Sequence, residues 1–124
     1  MHIVHLEDRK PLRDMLKAIL DLVHPGCIVQ QFATADDAVD YVRQYGKEVD
    51  LFLLDMRVPG SIDGLGVAEF IHQFDCSGVI VLTSAYKSIE QDKLSALNAH
   101  WFQKPWSHKE IQEMLHLASI RPPS

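Results

Sequence analysis

At 124 residues, with 47% apolar and 23% charged side chains, the chain is long enough to bury one hydrophobic core and lacks the compositional bias of fibrous, disordered or coiled-coil proteins. Its formal net charge of −5, with lysines and arginines scattered along the chain, argues against a surface built to grip nucleic-acid phosphates. The longest apolar runs, at 51–54 and 79–82, fall far short of the roughly 20 residues of a bilayer-spanning helix, and the first residues have neither the basic lead nor the apolar stretch of a secretory leader, so no membrane contact and a cytoplasmic setting are expected.

In chain order, the first short apolar run, residues 3–6, has the length of a strand and ends in the polar Glu7-Asp8-Arg9-Lys10. Leu12, Leu16, Ile19 and Val23 follow at helical spacing, with Gly26 beyond the helix end. A second strand is predicted over 27–32. A second helix then runs through Ala35, Ala38, Val42 and Tyr45, opened by Thr34 with Asp37 as a near variant of a capping box and followed by Gly46. The third strand is predicted over 51–54 and the third helix through Val67, Phe70, Ile71 and Phe74. The fourth strand covers 79–82. The fourth helix, 88–97, has only Ile89, Leu94 and Leu97 among Ser88, Gln91, Lys93 and Ser95, so an exposed, loosely held helix is expected. The fifth strand lies over 99–102, and the fifth helix, 107–119, opens on the S-x-x-E box of Ser107 and Glu110. One domain over 1–119 is expected; residues 120–124, with two prolines, read as a disordered tail or a cut linker, and if the chain is the whole protein no output domain is attached.

Strands alternating with helices, and near-continuous apolar runs in the third and fourth strands, call for a parallel sheet covered on both faces: a doubly wound α/β fold. Such sheets bind ligands outside the carboxyl ends of their strands. The residues at those ends are Glu7 and Asp8 after the first strand, Asp55 after the third, Thr83 and Ser84 after the fourth, and Lys104 after the fifth. Carboxylates about 4 Å apart repel by about 4 kcal/mol per pair at an effective dielectric near 20, so they protonate or share a cation. Few, hard oxygen ligands beside an open rim suit Mg2+ better than an enclosed Ca2+ site, and no nitrogen or sulfur is placed there for zinc. The Lys104 ammonium and the Thr83 hydroxyl offer a charge and a donor to an anion beside the acids, which fits a phosphoryl group, with a carboxylate as its acceptor.

Taken together, Glu7-Asp8, Asp55 within Leu-Leu-Asp-Met-Arg-Val-Pro-Gly, Asp63-Gly64, Thr83-Ser84-Ala85 and Lys104-Pro105 resemble the receiver domain of two-component response regulators, over nearly the whole chain. The resemblance implies a flavodoxin-like sheet of order 2-1-3-4-5 with five helices. It implies Asp55 as phosphoacceptor, Asp8 as a direct Mg2+ ligand, Glu7 acting partly through water and the Arg57 carbonyl completing the metal's protein ligands. Lys104 would bridge the phosphoryl group and Asp55, across a cis bond to Pro105. Thr83 would follow the phosphoryl oxygen as a switch, with Trp101 turning inward at a position more usually Tyr or Phe. The implied donor is a sensor histidine kinase or phosphotransfer protein. The output is binding of an unidentified downstream protein by the last two helices and last strand, in a monomer or weak homodimer. Only self-catalysed phosphorylation and dephosphorylation are implied, not enzymatic turnover.

Two departures from the family pattern stand out. The stretch from Pro59 to Asp63-Gly64 is one residue longer than usual, and Arg57 replaces a smaller or neutral residue, which predicts an altered acyl-phosphate lifetime. Competing readings explain less. Alone, Glu7-Asp8 reads as a cap at a helix start. A receiver-like interaction domain that is never phosphorylated would have no use for intact Asp8, Asp55, Thr83 and Lys104. A phosphatase with Asp55 as nucleophile would want a second Asp where Arg57 stands, and a flavin would want a Ser/Thr/Gly-rich cradle after the first strand. Cys27 and Cys76 read as free thiols, the seven histidines share no ligand spacing, and Trp106 reads as a packing anchor of the last helix.

Overall fold

The computed structural model describes residues 1–86 and 89–120. Its strands are β1 (His2–Leu6), β2 (Ile28–Phe32), β3 (Leu51–Asp55), β4 (Val79–Ser84) and β5 (Ala99–Gln103), and its helices are α1 (Lys10–Val23), α2 (Ala35–Tyr45), α3 (Gly64–Gln73), α4 (Gln91–Leu97) and α5 (His108–Ser119). The sheet is parallel, in the order β2-β1-β3-β4-β5, as expected. All of β3 is buried, which places it in the middle of the sheet, while β2 and β5 at the edges expose Ile28 and Gln30, and His100 and Gln103.

Strand alternation divides the core in two. Val4, Leu6, Phe52, Leu54, Ile80 and Leu82 face α2, α3 and α4, while Ile3, Leu51, Leu53 and Val81 face α1 and α5. Both layers end at the carboxyl edge of the sheet, where the polar residues begin.

Local chemistry sets most of the helix boundaries. Thr34 Oγ1 accepts from the Asp37 N–H, and Ser107 with Glu110 forms a complete capping box. Helix α1 differs from the simplest expectation: Arg9, not Asp8, is its N-cap residue, and no side chain caps it. Helix α4 is a turn shorter at its start, with Glu90 as N-cap and only Leu94 and Leu97 buried; Ser88, where it was expected to begin, lies outside the described residues, as does the tail from 121.

Helix α3 starts earlier than its first apolar residues suggest, because Asp63 caps it by accepting from the Gly66 N–H at 2.9 Å. Gly64 makes that start compatible with the site, since a Cβ there would lie 2.0 Å from the carbonyl oxygen of Asp55. The long loop before α3 turns at Gly60, whose φ is +136°, a conformation that favours glycine. It is pinned to the start of α2, where Ser61 Oγ donates to Asp36 Oδ1 at 2.6 Å and the Ala35 N–H donates to the Pro59 carbonyl at 3.2 Å.

Candidate functional site

The sheet order makes β1 and β3 neighbours, so the acids at their ends meet. Glu7, Asp8 and Asp55 can each offer a carboxylate oxygen, and all three oxygens lie within 4.8 Å of one another. Glu7 and Asp55 are buried; Asp8 is exposed at the open side. Lys104, arriving from the end of β5 over a cis Lys104–Pro105 bond, places Nζ 2.6 Å from Glu7 Oε1 and 2.6 Å from Asp55 Oδ2. The second oxygen of each buried acid takes a backbone donor, Arg9 N–H to Glu7 Oε2 at 3.1 Å and Arg57 N–H to Asp55 Oδ1 at 2.9 Å.

These contacts are needed because neither acid is well solvated. Burial raises Glu7 above the ordinary carboxylate range, and the nearby Asp55 charge adds to that, even though the hydrogen bonds from Lys104 and the Arg9 N–H pull the other way. Burial also opposes the charge on Lys104, but hydrogen bonds to Asp55 and Glu7 and their charges outweigh it and hold the ammonium above its usual value. The site is thus an anionic pocket with one ammonium wedged between two of its three acids. Its donor set, carboxylate oxygens with one acid facing solvent, fits a hard divalent cation.

Beside the acids opens a cleft of about 400 Å³, lined among others by Asp8, Asp55, Arg57, Ser84, Tyr86 and Lys104. The lining includes Ser84 and not Thr83, which corrects the expected place of the fourth-strand hydroxyl. Thr83 points to the α5 side, is 1% exposed, and its hydroxyl donates to the Phe102 carbonyl at 2.5 Å and accepts from Trp106 Nε1 at 3.0 Å. One residue on, alternation turns Ser84 the other way, and its Oγ accepts from the Tyr86 N–H at 3.0 Å. Two adjacent hydroxyls at a strand end are equivalent in sequence; the packing of Thr83 against Trp106 and Phe102 separates them.

Tyr86 is a site residue that nothing in the sequence singled out. Its exposed ring carries the Arg57 guanidinium 4.1 Å from its centroid, so the two side chains form a stacked pair at the mouth of the cleft. Trp101 is half-buried on the opposite side of β5 from Thr83's partners and packs against the α2–α4 layer.

His5 lies one layer beneath the acids, and burial, with smaller contributions from the Lys104 and Arg13 charges, pushes it down to about 3. The folded protein therefore binds fewer protons than the unfolded chain between about 3 and the ordinary histidine value of 6.5, so stability falls as pH drops through that window. The slope is about 1.4 kcal/mol per pH unit from this residue. Urea unfolding at pH 7 and pH 5 is expected to show a smaller acid loss for His5→Leu than for the parent; equal losses would mean the ring is protonated in the fold.

The match with known proteins follows the same geometry. The family description "Response regulator receiver domain" covers residues 3–116. The chain belongs to the response regulator receiver domain family. A curated relative, the cyclic di-GMP phosphodiesterase response regulator RpfG of Xanthomonas campestris pv. campestris (strain 8004), is 28% identical over 116 residues, which is 90% of this chain and 30% of that protein. The chain thus spans under a third of that relative's length. Among solved structures, the signal receiver domain of a putative Luxo repressor protein from Vibrio parahaemolyticus superposes with a TM-score of 0.82 at 20% identity, covering 94% of this chain and 88% of that one. A CheY-like receiver domain from Methanospirillum hungatei JF-1 superposes with a TM-score of 0.80 at 21% identity, covering 94% and 90%. At these identities the two structures establish the receiver fold. Among the described residues, no helix is long and apolar enough to cross a membrane.

Proposed function

We propose that this receiver domain accepts a phosphoryl group on Asp55 from a histidine kinase or phosphotransfer protein, and that the acyl phosphate changes the surface offered to a downstream protein. The observation that carries the reading is the Lys104 ammonium, 2.6 Å from both Glu7 and Asp55, beside a third acid and an open cleft. An Asp55 carboxylate oxygen attacks phosphorus, the bond from phosphorus to the donor's nitrogen or oxygen breaks, and its electron pair leaves with the donor. Lys104, already bonded to Asp55 Oδ2, neutralises charge on the incoming oxygens. Glu7, Asp8, Asp55 and the Arg57 carbonyl would hold Mg2+, which when bound supplies a fixed positive charge to the equatorial oxygens. Hydrolysis by water at phosphorus returns the Asp55 carboxylate and inorganic phosphate, so the chain turns over only its own acyl phosphate.

Ser84, which lines the cleft, takes the switch role that the family resemblance assigned to Thr83, and Trp101 is the aromatic partner on β5. Residues 1–119 act as the signalling unit, in the cytoplasm, as a monomer or weak homodimer.

Intact-mass analysis after incubation with acetyl phosphate tests the reading. One labile phosphoryl is expected with Mg2+ and none with excess chelator; no uptake in either condition would instead support a receiver-like interaction domain that is never phosphorylated. The Arg57–Tyr86 pair, stacked over the cleft mouth, is expected to slow the approach of water. Arg57→Asn and Tyr86→Ala should each shorten the acyl-phosphate lifetime by about threefold to tenfold, the effect of about 1 kcal/mol from one lost cation–π contact. Lifetimes equal to the parent's in both variants would remove the pair from the chemistry.

A further inference from the structure

Under the acid cluster, on the sheet face covered by α1 and α5, polar groups form a buried line that runs from β2 to β5. Gln31 Nε2 donates to the Arg13 carbonyl at 2.8 Å and pairs with His5 Nδ1 at 3.1 Å. With Nδ1 accepting, the neutral His5 ring carries its proton on Nε2. That nitrogen is buried with no hydrogen-bond partner among the described residues, and the ring stands edge-on to Trp106, centroids 6.1 Å apart at 62°. Trp106 in turn donates to Thr83 Oγ1 at 3.0 Å, and Thr83 donates to the Phe102 carbonyl at 2.5 Å. The Lys104 N–H donates to the Ser84 carbonyl at 3.0 Å. The segment 102–106 is therefore tied to the end of β4 before, at and after Lys104.

We infer that Trp106 and Thr83 are positioning residues for Lys104: the indole N–H, held by the Thr83 hydroxyl, fixes the corner from which the Lys104 side chain reaches Glu7 and Asp55. A phenylalanine at 106 would fill most of the same apolar space but could not donate to Thr83. A valine at 83 would match the volume but could neither accept from Trp106 nor donate to Phe102. Both residues are buried, so no water replaces the lost partner, and the corner relaxes instead. A displacement well under 1 Å is enough to matter at a site whose two Lys104 contacts are each 2.6 Å long. The hydroxyl that faces away from the cleft thereby acts on the chemistry through the lysine. For its effect on phosphoryl transfer the inference rests on the function proposed above, and its structural core does not.

The test combines a readout that needs no phosphoryl group with one that does. The 124-residue parent, Thr83→Val, Thr83→Ser and Trp106→Phe are treated briefly with an amine-acylating reagent, and labelling of Lys104 is followed by peptide mass analysis with Lys47 as internal reference. Lys104 should label about tenfold faster in Thr83→Val and Trp106→Phe and at the parent rate in Thr83→Ser, the change expected for loss of the buried Trp106–Thr83 hydrogen bond that both variants share. Acetyl phosphate uptake should slow by a similar factor in the same two variants. Combined with Lys104→Met, Thr83→Val should slow uptake no further, because the residue it positions is gone. Parent-like Lys104 labelling in both variants, or an undiminished Thr83→Val effect in the Lys104→Met background, overturns the inference. If one variant does not fold, the other carries the labelling test. A parent that takes up no phosphoryl defeats the proposed function and leaves the labelling result to decide this one.

Discussion

Asp55→Asn is expected to abolish phosphoryl uptake while leaving the receiver fold intact. Asparagine keeps the shape and an oxygen for the Arg57 N–H, which donates to Asp55 Oδ1 at 2.9 Å, and it removes the anionic oxygen that attacks phosphorus. It also removes one of two carboxylates that share Lys104, but Glu7 remains bonded to the ammonium at 2.6 Å, so the lysine is not left as an unpaired buried charge. Removal of one acid from a crowded trio relieves repulsion as it removes attraction, so the change in stability should stay within about 1 kcal/mol. Intact-mass analysis beside the parent, with acetyl phosphate and Mg2+, reads the first effect and urea unfolding the second. A phosphoryl group still found on Asp55→Asn would place the acceptor elsewhere and sink the proposed chemistry.

Gly64→Ala should be the most damaging small substitution in the chain. The added methyl would sit 2.0 Å from the Asp55 carbonyl oxygen and 2.7 Å from its carbon, both backbone atoms at the end of a buried strand. Neither can give way as a flexible side chain would, so the start of α3 or the end of β3 must move. Overpacking of this kind costs about 1–3 kcal/mol, and the backbone contact puts Gly64→Ala at or above the top of that range. Because the displaced atoms belong to the proposed phosphoacceptor, uptake should also slow by at least tenfold in the protein that remains folded. An unfolding free energy in urea within about 0.5 kcal/mol of the parent would show that α3 can retreat without disturbing β3, and the close packing would then have no functional weight.

The fold was legible because its determinants are local or periodic. Runs of four to six apolar residues separated by helical stripes specify a parallel, two-faced sheet, and the caps at Thr34 and Ser107 mark helix starts through bonds to residues three positions on. Helix α4 was the weakest element for the same reason: two buried leucines leave little pattern to read. The acids and the lysine were legible as chemistry, since Glu7, Asp8, Asp55 and Lys104 each close a strand.

What the sequence determined by itself was the set of charges at the strand ends and the doubly wound sheet that gathers them. Tertiary structure decided which way adjacent side chains point and which distant groups they meet. Thr83 and Ser84 differ by one step of strand alternation, and only packing beside Trp106 and Phe102 commits the first hydroxyl to the core and leaves the second to the cleft. The Arg57–Tyr86 stack, the closeness of Gly64 to Asp55 and the His5–Gln31 pair join residues from separate elements, and no local pattern encodes such meetings because each depends on how the layers settle against one another.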